Sequence, residues 1–421
     1  MGEYCCAPQE GDDSVMSLLD LSQWPRLATP SASRFRLRQR HVRDEFPQFM
    51  WVTEAGECPE LAPGRLPLKG TEAARTVKLY DETAVDERFA RDGWLGLAES
   101  FMAWEWDAQD PSYLWGAAMS LKRVLPRKER SQRREPLVAS PRDRSFEFFS
   151  TYLDETFNLG AADFINGPRS TVVNNGVAEV YLDDPSPLPL RKDLYDAQRR
   201  RVSRVLLDAD LRRRDKVLFI GAEWGETALE AAAFGCDVTV LCESPQVEKI
   251  LTTRADMAQG GQLRLIPGLF SNTGIYDVLI SISPLPHDTI FEALPQLVSE
   301  DVAPRGRIVL ERPWRGRPHQ EMPLAWWWAY VDTDTQLRSR EECVSALTAA
   351  GARLTQATHC GHHYLRSLEL WDEGFRAHVS QVGALGYDAA YRRLWRMALA
   401  LARAGVRTGA LECQRLVFQK H

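Results

Sequence analysis

A mostly apolar run from Lys216 to Ile220 leads directly into Gly221, Ala222, Glu223, Trp224 and Gly225, and then into a helix-forming stretch from Thr227 to Phe234. A glycine-rich turn between a strand and a helix can do chemistry. Its glycines let a ligand approach the backbone, and the helix start offers free N–H groups to a nucleotide-like cofactor. Gly221 and Gly225 fit that role, although any tight strand–helix turn can use glycine. Glu243 follows the next strand, Val238 to Cys242, at the place where an acidic side chain would hold ribose hydroxyls. A solvent-facing loop glutamate is the other reading. His287 lies just after the strand Tyr276 to Ser281, where sites form in open sheets, and reads as a base or as a packing histidine. His359, Cys360, His362 and His363 crowd together, but no carboxylate stands at a matching spacing, so no metal site is expected.

The elements that must position these residues alternate. A helix from Tyr195 to Leu207 precedes the first strand. Further strands are Leu263 to Ile266 and Arg307 to Leu310. A helix containing Leu394, Trp395, Ala398, Leu399 and Ala402 and a strand from Cys413 to Phe418 close the chain. Strands and helices at this spacing indicate an α/β fold with a mostly parallel, doubly wound sheet. The expected division is a flexible tail over 1–30, an N-terminal accessory domain of mixed structure over 31–120, a basic linker over 121–140 and the α/β domain over 141–421. The linker carries seven Lys and Arg residues between Lys122 and Arg134. These read as a solvated linker or as a peripheral membrane contact for anionic lipid headgroups. Thirteen Trp, with Trp326, Trp327 and Trp328 consecutive, suggest large apolar surfaces such as a greasy pocket.

Bulk properties narrow the function classes. The 421 residues are 44% hydrophobic and 26% charged, as in ordinary globular proteins. A net charge of −6 supplies no global field for nucleic acid, so no nucleic-acid partner is expected. No apolar run is long enough to span a bilayer. The acidic N-terminal stretch has the wrong charge for a secretory signal. Eight scattered cysteines without a C-x-x-C pair read as a reduced, cytoplasmic protein.

Four further motifs occur in order. Residues 95–107 read L-G-L-A-E-S-F-M-A-W-E-W-D, residues 152–164 read Y-L-D-E-T-F-N-L-G-A-A-D-F, Asp196-Ala197-Gln198 precedes the first strand, and a helical pattern runs from Trp395 to Gly409. In these motifs the chain resembles the cyclopropane-fatty-acid synthase family, which includes the mycolic acid cyclopropane synthases, over roughly residues 90 to 421. The resemblance implies a Rossmann-like class I methyltransferase fold. It also implies S-adenosylmethionine as methyl donor, an apolar acyl or alkene acceptor, and a bound bicarbonate that takes up a proton. On this resemblance Gly221, Glu223, Trp224, Gly225, Glu243, Ser244 and Gln246 surround the cofactor. His287, Tyr330, His363 and Tyr364 stand at the reaction centre.

The chain departs from the family pattern at both ends of that site. V-L-D/E-I-G-x-G-W-G reads V-L-F-I-G-A-E-W-G, so Phe219 replaces an acidic residue and Glu223 replaces a glycine. A glutamate there would bring bulk and like charge into the space of the cofactor carboxylate. Gly268-Leu269 replaces a D-Y pair near the adenine. Ala161 stands for the family's cysteine, and Ser283 and Pro286 for two glutamates, so bicarbonate is not expected. Three functions follow. The first is a divergent S-adenosylmethionine-dependent methyltransferase acting on an apolar alkene or acyl lipid. The second is a cofactor-independent cyclase or isomerase of a hydrophobic small molecule. The third is a silent partner of an active paralogue. A homo-oligomer is compatible with each.

Overall fold

The computed structural model describes residues 20–28, 41–53, 76–120, 145–164, 169–185, 188–242, 244–257, 263–268, 274–282, 288–316, 322–332 and 335–421. The basic stretch over 122–134 lies outside them, as do Glu243 and His287. The chain divides into two units, one of Met1–Asp143, His319–Thr333 and His378–Thr408, the other of Arg144–Pro318, Asp334–Ala377 and Gly409–His421.

Among the described residues nine strands form the large sheet of the second unit: β1 Ser170–Asn174, β2 Val177–Tyr181, β3 Lys216–Ile220, β4 Asp237–Cys242, β5 Leu263–Pro267, β6 Tyr276–Ile282, β7 Val302–Arg315, β8 Ala352–His359 and β9 Leu411–Lys420. Their order is β1-β2-β8-β9-β7-β6-β3-β4-β5. From β7 to β5 every pairing is parallel, and β9 runs antiparallel between β7 and β8. This is the Rossmann-like class I methyltransferase arrangement expected from the motifs. The chain leaves β3 on one side for β4 and β5 and returns on the other side for β6. The switch point therefore opens a crevice beyond the C-terminal end of β3.

The strand β3 is apolar from Val217 to Ile220 because both its faces are covered there. Leu218 and Ile220 pack with Leu279, Ile308 and Leu310. Val217 and Phe219 pack on the other face with Val205, Ala228, Leu251 and Ile280. Phe219, standing where the family pattern has an acid, is thus fully buried core. Three helices bear on the site: α1 Leu194–Asp208, α2 Glu226–Phe234 and α3 Pro245–Met257. The hairpin of β1 and β2 extends the sheet beyond the expected strands. Its turn places Asn175 (φ 49°) and Gly176 (φ 78°) in the left-handed region, which Asn-Gly tolerates at low cost. That dipeptide is the signal in the sequence that marks it.

The first unit contains a three-stranded sheet (Met50–Thr53, Thr76–Leu79, Trp106–Ala108) with helices Glu82–Asp92, Trp94–Met102, Ser112–Ser120, Leu324–Tyr330 and Ala389–Thr408. Two of these helices lie in the stretch expected to belong wholly to the α/β domain. Residues 20–28, expected as loose tail, are packed. Trp24 and Leu27 are buried, and Arg88 donates to the carbonyls of Arg26, Leu27 and Ala28. The motif over 95–107 is a packing device. A Cβ on Gly96 would overlap the carbonyl of Arg88, so only glycine lets the two helices approach. Glu99 and Met102 receive Tyr330 and Trp326, respectively. Trp326 is buried there, as part of the unit's core.

Candidate active site

The turn after β3 has three left-handed residues in five: Gly221 (φ 68°), Glu223 (φ 52°) and Gly225 (φ 90°). Glycine adopts this conformation freely. For Glu223 it costs about 1–2 kcal/mol. The turn is closed by the Gly225 N–H on the Ala222 carbonyl (2.9 Å). A Cβ on Gly225 would overlap Leu251 of α3, so glycine is needed there for packing as well. Arg254 of α3 braces the turn from outside, donating to the Trp224 carbonyl (2.6 Å) and to Glu226 (2.5 Å).

Among the described residues no side chain caps α2 at Gly225, and none accepts from its first N–H groups, which face the turn. Beside them, Trp224 Nε1 and Thr227 Oγ1 are buried and have no hydrogen-bond partner among the described residues. Asn158 Nδ2 and Gln198 Oε1 are in the same condition, on the segment and the helix that face Glu223. Buried polar atoms without partners are costly, and a polar ligand would satisfy them.

A glutamate at 223 is expected to bring its carboxyl into the space of the cofactor's carboxylate; in the structure the Glu223 side chain is fully buried. It accepts hydrogen bonds from Arg201 Nη1 (3.2 Å), Arg201 Nη2 (3.3 Å) and the backbone N–H of Leu159. Arg201 in turn binds Glu311 (2.5 Å), Glu311 binds Arg415 (2.7 Å), and Arg415 binds Asp208 (2.6 Å). Glu311 and Arg415 are direct cross-strand partners on β7 and β9, and Arg201 and Asp208 reach them from α1. Three carboxyls thus meet two guanidiniums in this chain of buried ion pairs. Burial pushes the Glu223 carboxyl above its ordinary range, with Arg201 pulling the other way. Glu311, flanked by both arginines, is held below that range against the cost of its burial.

The remaining site residues are scattered. His363 is fully buried, and both its ring nitrogens are engaged by backbone. Phe164 N–H donates to Nδ1 (3.1 Å) and Nε2 donates to the Asp183 carbonyl (3.0 Å). It therefore ties down the segment that contains Ala161. Tyr364 is buried edge-on to Trp371, close enough to feel Glu223, Arg201 and Cys413; burial pushes its phenol well up. Tyr330 belongs to the first unit, where it donates to Glu99 (2.8 Å). Ser244 caps α3 through Val247 N–H (3.2 Å). Gln246 lines a cleft of about 840 Å³ between α2 and α3, with Leu229, Lys249 and Arg254. His359 stacks on Tyr181 and binds Glu179 (2.8 Å), while His362 pairs with Asp184 (2.9 Å). Among the described residues no group of three His, Cys, Asp or Glu could hold a metal ion.

Sequence reasoning missed Arg201 and Glu311. Both left a signal: Arg201 shares the buried phase of α1 with Gln198, Val202 and Val205, and Glu311 interrupts an apolar strand.

The family model described as mycolic acid cyclopropane synthetase matches residues 129–416. The chain belongs to this family. Over 444 aligned residues it is 26% identical to the tuberculostearic acid methyltransferase UfaA1 of Mycobacterium tuberculosis, covering 96% of each chain. Among solved structures it is similar to the cyclopropane synthase MmaA2 of Mycobacterium tuberculosis (TM-score 0.56, 20% identity, 71% of this chain and 100% of that one). It is also similar to the mycolic acid cyclopropane synthase CmaA1 complexed with SAH and CTAB (TM-score 0.55, 19% identity, 66% and 94%). Those two structures share its fold. Membership in the mycolic acid cyclopropane synthetase family makes the chain a cyclopropane-synthase-like methyltransferase of lipid substrates that uses S-adenosylmethionine. No helix among the described residues is long and apolar enough to cross a membrane.

Proposed function

We propose that the second unit binds S-adenosylmethionine at the turn after β3 and methylates an unsaturated acyl chain of a lipid. The observation that carries this reading is the uncapped start of α2 beside the unpartnered Trp224 Nε1 and Thr227 Oγ1. Those donors fit a cofactor that carries a carboxylate and hydroxyls. On the resemblance, the buried Phe219 removes one acidic partner for the cofactor's amino-acid end, and no described residue comes within 4 Å of a Cβ on Gly268, which stands where the family has a larger side chain.

When bound, S-adenosylmethionine supplies an already activated methyl, so the protein's task is mostly positioning. Gly221 and Gly225 give the backbone its approach, Arg254 fixes the turn, and the buried Tyr364 and Trp371 supply apolar wall. An acyl acceptor is supported by the family and by the similarity to UfaA1, a tuberculostearic acid methyltransferase. Ala161 in place of the family's cysteine favours a product formed without bicarbonate.

The test incubates the full chain with S-adenosylmethionine and a phospholipid carrying a cis-monounsaturated acyl chain. Mass spectrometry should show a gain of one CH₂ on that chain, with one S-adenosylhomocysteine formed and one proton released to solvent for each CH₂ gained. Recovery of unchanged lipid and no S-adenosylhomocysteine would contradict the reading.

A further inference from the structure

The glycine-to-glutamate change at 223 has a counterpart in α1. The Glu223 backbone is partly exposed at the turn, yet its side chain is 0% exposed. The groups that hold it inward are the Arg201 guanidinium and the Leu159 N–H. Arg201 cannot swing elsewhere, because its Nε is fixed by Glu311. It also lies flat against Gly160, where a Cβ would fall inside the guanidinium. Gly160 is held in turn by Gln198 Nε2 on its carbonyl (3.1 Å). Three residues from three separate stretches of sequence therefore fit one another: Gly160 makes room for Arg201, and Arg201 takes the buried Glu223 carboxyl.

We propose that Arg201 is a positioning residue for S-adenosylmethionine binding: it retains the Glu223 side chain in the interior, so that a turn carrying a glutamate still presents only backbone to the cofactor's carboxylate. The proposal rests on the cofactor site assigned above. Without the cation, the partner left to the Glu223 carboxyl among the described residues is the Leu159 N–H. Rotation outward to water would then place it against the cofactor's own carboxylate. The sequence distance between Arg201 and Glu223, 22 residues, hides this dependence from any local reading.

Calorimetric titration of the full chain with S-adenosylhomocysteine tests it without relying on turnover. Arg201→Met is expected to weaken binding by about tenfold or more, ~1.4 kcal/mol. Adding Glu223→Gly to Arg201→Met should restore binding to within about threefold of wild type, as expected when two residues act only through each other. Arg201→Lys, which keeps a cation, should fall between the two. A merely structural arginine would give a loss that Glu223→Gly does not repair. Gly160→Ala displaces the guanidinium by another route and should show the same loss and the same rescue, which keeps the test open if Arg201→Met fails to fold. Wild-type affinity in both Arg201→Met and Gly160→Ala, or unrescued loss in the double variants, overturns the proposal alone. No binding by wild type overturns the cofactor site together with it.

Discussion

Two buried glutamates, one in each unit, show how differently a kept motif and a broken one are supported. Glu99 belongs to a stretch that retains the family pattern. Its carboxyl receives Arg26 at 2.5 Å and the Tyr330 hydroxyl at 2.8 Å, and it sits on regular helix. Glu223 replaces a glycine of the family pattern. It sits on a left-handed backbone and is held by contacts of 3.2 and 3.3 Å. The first is a fixture of packing. The second is an intrusion made harmless by a neighbour, since Arg201 and its partners carry the burial that the turn alone could not. The difference teaches that loss of a motif residue does not measure loss of a site; the environment of the new side chain decides.

Substitutions can break or sharpen that contrast. The largest effect is expected at Glu311, which holds both Arg201 and Arg415. Glu311→Gln leaves two buried guanidiniums poorly compensated and should destabilise the chain by about 3–5 kcal/mol in denaturant unfolding. Glu99→Gln should cost about 2–3 kcal/mol, less because Arg26 is partly exposed and retains Asp92. Glu223→Gly should change stability by no more than about 1 kcal/mol, because relief of the left-handed strain offsets the lost ion pair. If Glu223→Gly cost as much as Glu99→Gln, the two glutamates would be equivalent supports and the contrast would fail.

The pH dependence sharpens it further. Burial raises the Glu223 carboxyl above the unfolded value, so the folded chain binds that proton more tightly. The stability it brings is present at low pH and lost as pH rises through the folded pKa. Glu311 has the opposite sign: its contribution is present above the unfolded value and lost on acidification. Glu223→Gln should therefore flatten the decline in stability as pH rises above the ordinary carboxylate range, whereas Glu311→Gln should not. An unchanged slope in Glu223→Gln would show that this carboxyl does not titrate there. The smallest effect concerns Cys343, whose thiol is pushed up to about 12 by burial. It should resist alkylation at neutral pH in the folded chain and react once the chain is unfolded.

Much of the sheet was legible in the sequence because its strands are buried on both faces. The run from Lys216 to Ile220 can scarcely be read otherwise. The glycines of the turn were legible for the same local reason. The fate of Glu223 was not, because it depends on Arg201 in α1 and, through it, on Glu311 110 residues from that arginine. The helix Ala389–Thr408 was visible as an element, but its membership in the first unit was not. Periodicity tells which face of a helix is buried, not what buries it. His363 shows the limit for a site residue: the resemblance gave its position, and only the backbone partners on both nitrogens give its role in holding 162–164.

The most direct measurement is a calorimetric titration of wild type and Glu223→Gly with S-adenosylhomocysteine, side by side. Micromolar binding by both, differing by no more than about threefold, is the expected result, because the glutamate already lies out of the ligand's way. A gain of about tenfold or more in Glu223→Gly would mean that the side chain obstructs the site. Absence of binding by either protein at millimolar ligand would mean that the turn no longer takes the cofactor.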